Sequence, residues 1–177
     1  KLSIPDYECV LPRGQKVAYR PFLVREEKLL YLAMETQDNK EMIKAVKEII
    51  KNCTNLKKLD DLATFDIEYL FLRIRGKSVG EVSEFKITCP DDEKTQVDVE
   101  VNLDDVKVII PKEHTTILKV SDDVTITMQY PSLDVFVKNN LVDNPGVDDL
   151  FKLAASCTES IAEGEDVYEG KDHTTKE

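Results

Sequence analysis

Residues 65–74, inside the stretch TFDIEYLFLRIRGKSVGE (Thr64–Glu81), place seven apolar side chains in ten positions: Phe65, Ile67, Tyr69, Leu70, Phe71, Leu72 and Ile74. Asp66, Glu68, Arg73 and Arg75 are interleaved with them, and Gly76 closes the run. The run is longer than an ordinary strand and has no β-branched residue between Leu70 and Arg73, which predicts a helix. Thr64 or Asp66 is placed to cap its start, and Gly76 with Lys77 to finish it. A helix apolar on nearly all sides has to be covered on nearly all sides. It is therefore expected at the centre of the fold, and none of its side chains forms a catalytic pattern.

The 177 residues are enough to bury a real core in one domain or two small ones. Lysines and arginines number 24 against 35 aspartates and glutamates, a net charge of −11. A phosphate backbone needs a cationic surface, and no basic run supplies one, so nucleic acid is not an expected partner. No apolar segment approaches the roughly 20 residues of a membrane span, and there is no signal-peptide core, so no membrane partner is expected and the chain reads as cytosolic. The sequence opens at Lys1 without a methionine, which reads as loss of the first residues. Cys9, Cys53, Cys89 and Cys157 lie far apart without a Cys-x-x-Cys pair, so reduced thiols packed as small hydrophobes are expected.

Tyr7–Leu11 and Lys16–Tyr19 flank the turn Pro12-Arg13-Gly14-Gln15 and read as a β-hairpin, with Phe22-Leu23-Val24 continuing the second strand past Pro21. Arg25-Glu26-Glu27 then opens a helix to about Glu35. Gln37-Asp38-Asn39 breaks it, and Asp38 or Asn39 caps the next. Met42, Ile43, Val46, Ile49, Ile50 and Cys53 fall on one face of that second helix, with a lysine-rich solvated face opposite. Together with the apolar helix these predict a small helical bundle. Val82–Thr88, Gln96–Leu103, Val106–Ile110, Ile117–Val120 and Val124–Tyr130 read as strands, antiparallel because their connections are too short for crossovers. In Gln96–Leu103 and Val124–Tyr130 apolar and polar residues alternate, predicting one buried and one wet face. Ser132 caps a short helix with Leu133, Phe136, Val137 and Leu141 inward, and Asn144-Pro145-Gly146 makes a turn. Asp148–Ile161 reads as the last helix, burying Leu150, Phe151, Ala154, Cys157 and Ile161. The tail Ala162–Glu177 is Gly- and acid-rich, and from Asp172 it resembles a helix cap with no helix behind it.

Patterns for chemistry are sparse. His114 and His173 have no cysteine or carboxylate at ligand spacing. Gly76-Lys77-Ser78 lacks the upstream glycine of a phosphate loop and follows a helix. Asp60-Asp61, Asp91-Asp92-Glu93, Asp104-Asp105, Asp122-Asp123 and Asp148-Asp149 stand where turns and helix starts use them. Cys89-Pro90 begins like one knuckle of a zinc ribbon, but Asp92 occupies the second cysteine's place, so a metal-free hairpin is expected. No catalytic, cofactor-binding or metal-ligating residue is assigned.

Several segments carry a resemblance. They are the run Tyr19–Leu30, the helix ending Ile49-Ile50-Lys51-Asn52-Cys53, the run Phe65–Glu81, the Cys89-Pro90 hairpin, Tyr130-Pro131-Ser132 and Ser156–Ile161. They are similar to signature segments of the baseplate hub proteins of T4-type tailed phages, a family that includes a hub subunit and a hub-assembly catalyst. The likeness covers nearly the whole chain. It implies a role in building the baseplate at the end of a contractile tail, in the host cytoplasm during assembly and in the virion baseplate if retained. It implies other hub or tail proteins as partners and supplies no active-site residues. Relatives have a helical region after the counterpart of Val167-Tyr168, in line with the cap lacking a helix.

Two readings follow. In one the chain is a structural subunit or assembly chaperone of the hub, binding through apolar surfaces, with Phe22, Leu23 and Tyr69 as candidate contacts, each also a candidate for core packing. The sheet edge near Pro21 and the unfinished C-terminus are further places for a partner's strand or helix. In the other it is a small-molecule-binding or carboxylate-using enzyme domain, whose signature would be two buried carboxylates in a cleft. The expected architecture is α+β: a hairpin and helical bundle over 1–81, an antiparallel β region over 82–130, and C-terminal helices with an acidic tail over 131–177, as one compact unit cut short at its end.

Overall fold

A computed structural model describes residues 3–140 and 146–170. The chain is mixed α+β and packs as two units, Lys1–Leu59 with Phe65–Val108, and Asp60–Thr64 with Ile109–Glu177.

In the first unit, β1 (Tyr7–Val10) and β2 (Lys16–Tyr19) form the expected antiparallel hairpin. Its turn is closed by Leu11 N–H donating to Gln15 O and Gly14 N–H to Leu11 O, both at 2.8 Å, and Gly14 takes φ +90°. That left-handed conformation is one glycine adopts without steric cost. The strand does not continue past Pro21. Helix α1 (Val24–Thr36) begins there instead, because Glu26 reaches back to accept from Leu23 N–H at 2.8 Å and so fixes the first turn. Gln37, at φ 52°, ends α1, and α2 (Asn39–Cys53) starts from Asp38, whose carboxylate accepts from Lys40 N–H at 2.8 Å. Ile49, Ile50 and Cys53 of its predicted apolar face are buried.

Helix α3 (Thr64–Val79) is the predicted central helix. Ile67, Leu70 and Ile74 are at most 1% exposed, and of its sixteen residues only Glu68 and Val79 are exposed. Full burial of three such side chains contributes about 1.5–3 kcal/mol each. The helix runs one turn beyond the predicted stop. Gly76 lies within it, and the reversal falls at Gly80, with φ +114°. Neither expected cap acts simply as one: the Thr64 hydroxyl donates to Pro131 O at 3.2 Å, and Asp66 is fully buried in an ion pair with Arg13. β3 (Val82–Thr88) and β4 (Gln96–Asn102) form a second hairpin, anchored where Leu103 N–H donates to Glu81 O at 2.7 Å. Val106–Ile110 is not a strand. A 3₁₀ turn at Leu103–Asp105 precedes it, and the Arg73 guanidinium takes Val106 O at 2.9 Å, so no neighbouring strand pairs there.

The second unit is built on an antiparallel meander. β5 (Ile117–Lys119) and β6 (Val124–Met128) make one hairpin; α4 (Leu133–Asn140) and α5 (Val147–Ser156) follow; β7 (Thr158–Glu163) and β8 (Asp166–Glu169) complete the order β5-β6-β7-β8. Ser132 Oγ accepts from Val135 N–H at 3.4 Å at the start of α4, as its cap position predicted. The predicted helix Asp148–Ile161 is corrected: it stops at Ser156, and Thr158–Glu163 pairs with β6, where two ladders of backbone hydrogen bonds outweigh local helical spacing. The acidic tail is corrected as well, since Asp166–Glu169 is a strand closed by Gly164 at φ +60°. Leu141, the 144–145 part of the predicted turn, and the cap at Asp172 lie outside the described residues.

Candidate interaction surfaces

Several charged side chains of the first unit pair with one another. Glu26, with no exposed surface, accepts from Arg25 Nε at 2.7 Å, Arg20 Nη2 at 3.1 Å and Leu23 N–H. Burial pushes its carboxyl up, but the hydrogen bonds from Arg25, the Leu23 backbone and Arg20 win and hold it below the usual carboxylate range. Arg20 also donates to Pro21 O and Asn52 O, tying the entry to α1 to the end of α2. Asp66 pairs with Arg13 Nε at 2.5 Å, and its buried Oδ1 has no hydrogen-bond partner among the described residues. On α3, Arg73 pairs with Asp104 at 2.8 Å, and Lys77 pairs with both Asp104 and Glu81.

These clusters bear on the enzyme reading. Glu26 and Asp66 are the buried carboxylates of the described residues, and each is held by arginine. Neither lines the cleft of about 540 Å3 beside Tyr7, Tyr19, Arg20 and Cys53, nor the one of about 300 Å3 between α1 and α2. The four cysteines are free thiols. Burial raises the Cys9 and Cys157 thiols and pushes Cys53 up to about 11, the opposite of what a nucleophile needs. No group of three or more metal-ligating side chains occurs among the described residues. His114 instead stacks on Tyr130, with its Nε2 2.7 Å from the phenol oxygen.

Phe22 and Leu23 lie at the entry to α1. Phe22 is half-buried, and its N–H donates to Ser78 Oγ at 2.9 Å; Leu23 is 37% exposed. Tyr69 is half-buried on α3 beneath the Arg73 guanidinium, 4.5 Å from the ring centroid, a cation–π contact. Nine residues separate Tyr69 from Ser78 on one helix, about 13 Å of rise, so Tyr69 is not brought into one patch with Phe22.

The open apolar surface lies elsewhere, on elements whose periodicity had predicted burial. In the β3–β4 hairpin, Phe85 faces Val99 and Ile87 faces Val97 across the strands. Phe85, Ile87 and Val97 are 45%, 46% and 48% exposed, so the face predicted to be buried is open toward the hairpin turn, while Val99 and Val101 are half-buried and Leu103 is buried. Val147, Leu150 and Phe151 form a stripe on α5 and are 59–68% exposed, correcting the predicted burial of Leu150 and Phe151. The β5–β8 sheet likewise exposes Leu118, Ile161 and Tyr168. The signal was present in the sequence as period, but period names a face and not what covers it. Contiguous exposed apolar patches on soluble proteins mark protein or membrane interaction sites or ligand-binding grooves. No helix of the described residues is long and apolar enough to cross a membrane.

The described chain is α+β, with buried carboxylates held by arginines in its first unit and several apolar faces left open. The family is specific: a family model described as T4 bacteriophage base plate protein matches residues 4–177, and the chain belongs to that family of phage baseplate proteins. No curated protein and no solved structure matches the chain.

Proposed function

We propose that the chain is a hub protein of the phage tail baseplate, working through contacts with other hub or tail proteins and retained in the particle as a structural subunit. The observation that supports this most directly is the family match over residues 4–177. The open faces on β3–β4, α5 and the β5–β8 sheet favour retention over release as a chaperone. Apolar area buried against a neighbour contributes about 25 cal/mol per Å2, and a departing chaperone would have to give that back. Leu23, with half-buried Phe22 beside it, and Tyr69 are proposed as secondary contacts. Assembly would take place in the host cytoplasm, and no catalytic role is proposed.

Mass spectrometry of purified particles beside lysate from the same infection tests the reading. Fixed stoichiometry in particles is the expected result. Abundance in lysate bound to another hub protein, with absence from particles, would make it an assembly chaperone. Association with no tail protein in either sample would overturn the hub reading.

A further inference from the structure

We propose that one face of the β5–β8 sheet docks a different protein whose apolar surface is rimmed by lysines and arginines. The proposal rests on the hub reading above and names the chemistry of the partner. Leu118, Ile126, Ile161 and Tyr168 are successive cross-strand partners, one from each of the four strands. Cross-strand partners share a face, so these side chains form a single apolar row across the sheet. Leu118 is 47% exposed, Ile161 38% and Tyr168 44%, and Ile126 is half-buried at the centre. Two positions along the strands, the same face carries Val124, Glu163 and Asp166, again in register. The β5–β6 turn adds exposed Asp122 and Asp123 at that end. The opposite face is mixed, with Lys119, Thr125 and Glu169 among Ala162 and Val167. One face is thus an apolar band ending in carboxylates.

Charge selects the occupant. Asp60–Thr64 with Ile109–Glu177 carries 16 acidic and 6 basic side chains, whereas Lys1–Leu59 with Phe65–Val108 carries 19 and 18. Nearly all of the net −11 therefore lies on the unit that bears this face. A second copy would bring like charge against like charge around the contact, which disfavours self-association. An uncharged partner would strip water from Glu163 and Asp166 and give them nothing in return. A basic rim pairs them and speeds encounter.

The test uses the full chain made during phage infection, with the photo-crosslinking residue p-benzoylphenylalanine at Ile161 and, in a separate preparation, at Phe85 on β3–β4. The expected crosslink from Ile161 reaches a different tail protein, at an apolar segment flanked by lysine or arginine. The double variant Glu163→Lys, Asp166→Lys should lower its yield by roughly tenfold, while circular dichroism shows the fold unchanged, both sites being exposed. A crosslink from Ile161 to a second copy, or a yield indifferent to the charge reversal, overturns the proposal. So does a tail-protein crosslink from Phe85 with none from Ile161, and that result leaves the hub reading standing. If neither position reaches any tail protein, the hub reading falls with it.

Discussion

Glu26 shows how single residues hold the first unit together. It is a fully buried carboxylate whose charge is balanced by Arg25, Arg20 and a backbone N–H. Neutralising it leaves the half-buried Arg20 guanidinium short of its counter-charge, and exposed Arg25 loses a partner, so Glu26→Gln should cost about 1–3 kcal/mol in urea denaturation. The pH dependence follows from its depressed folded pKa. A group lowered on folding contributes stability that is fully present above its ordinary value, 4.5, and is lost as the pH falls below that through the folded value. Acid titration of the wild type should lose this stability below about pH 4.5, and the Glu26→Gln protein should show a shallower decline over the same window. Gly170 is constrained by space: a Cβ there would clash with the carbonyl oxygen of Thr158. Gly170→Ala should destabilise by about 1–3 kcal/mol, seen as a lower Tm and faster amide exchange in β7 and β8.

Among the elements, burial separates those that stabilise the monomer from those that do not. Leu70 on α3 has no exposed surface, and Leu70→Ala should cost about 2–5 kcal/mol. Ile87 on β3 is 46% exposed, and Ile87→Ser should cost less than about 1 kcal/mol of monomer stability by the same denaturation measurement. Equal losses would show that the β3–β4 face is covered in the free protein. The same contrast marks what could be read in advance. The i, i+4, i+7 spacing of Met42, Val46 and Ile49 identified α2 and its buried side, because a helix's period and its cover there come from the same short stretch of chain. On α5 the spacing of Leu150, Phe151 and Ala154 marks a stripe but not its exposure. Thr158–Ile161 reads as helix because Ala154, Cys157 and Ile161 continue a helical spacing, while the strands that make it β lie elsewhere in the sequence. Val106–Ile110 has strand composition and no strand beside it, and so remains irregular. For the candidate contacts Phe22, Leu23 and Tyr69, residue type alone does not distinguish a core side chain from a surface one.

At the scale of the whole molecule, charge is unevenly spread, and the second unit carries most of the repulsion. Raising ionic strength from 0.01 to 0.15 M shortens the screening length from about 30 to about 8 Å. Relief of that repulsion should add about 1 kcal/mol, a rise in Tm of about 2–4 °C by calorimetry. A fall in Tm over this range would mean that the ion pairs of α1 and α3 outweigh the acidic excess.

The meander also fixes an order of events in time. β6 pairs on one side with β5, just across a tight turn, and on the other with β7, whose Thr158 lies 30 residues beyond Met128. At about 5–20 residues per second, a ribosome needs roughly 2–6 s to make that interval. During those seconds the inner strand of the finished sheet is an outer one, with a row of amide and carbonyl groups facing water and open to any other nascent strand.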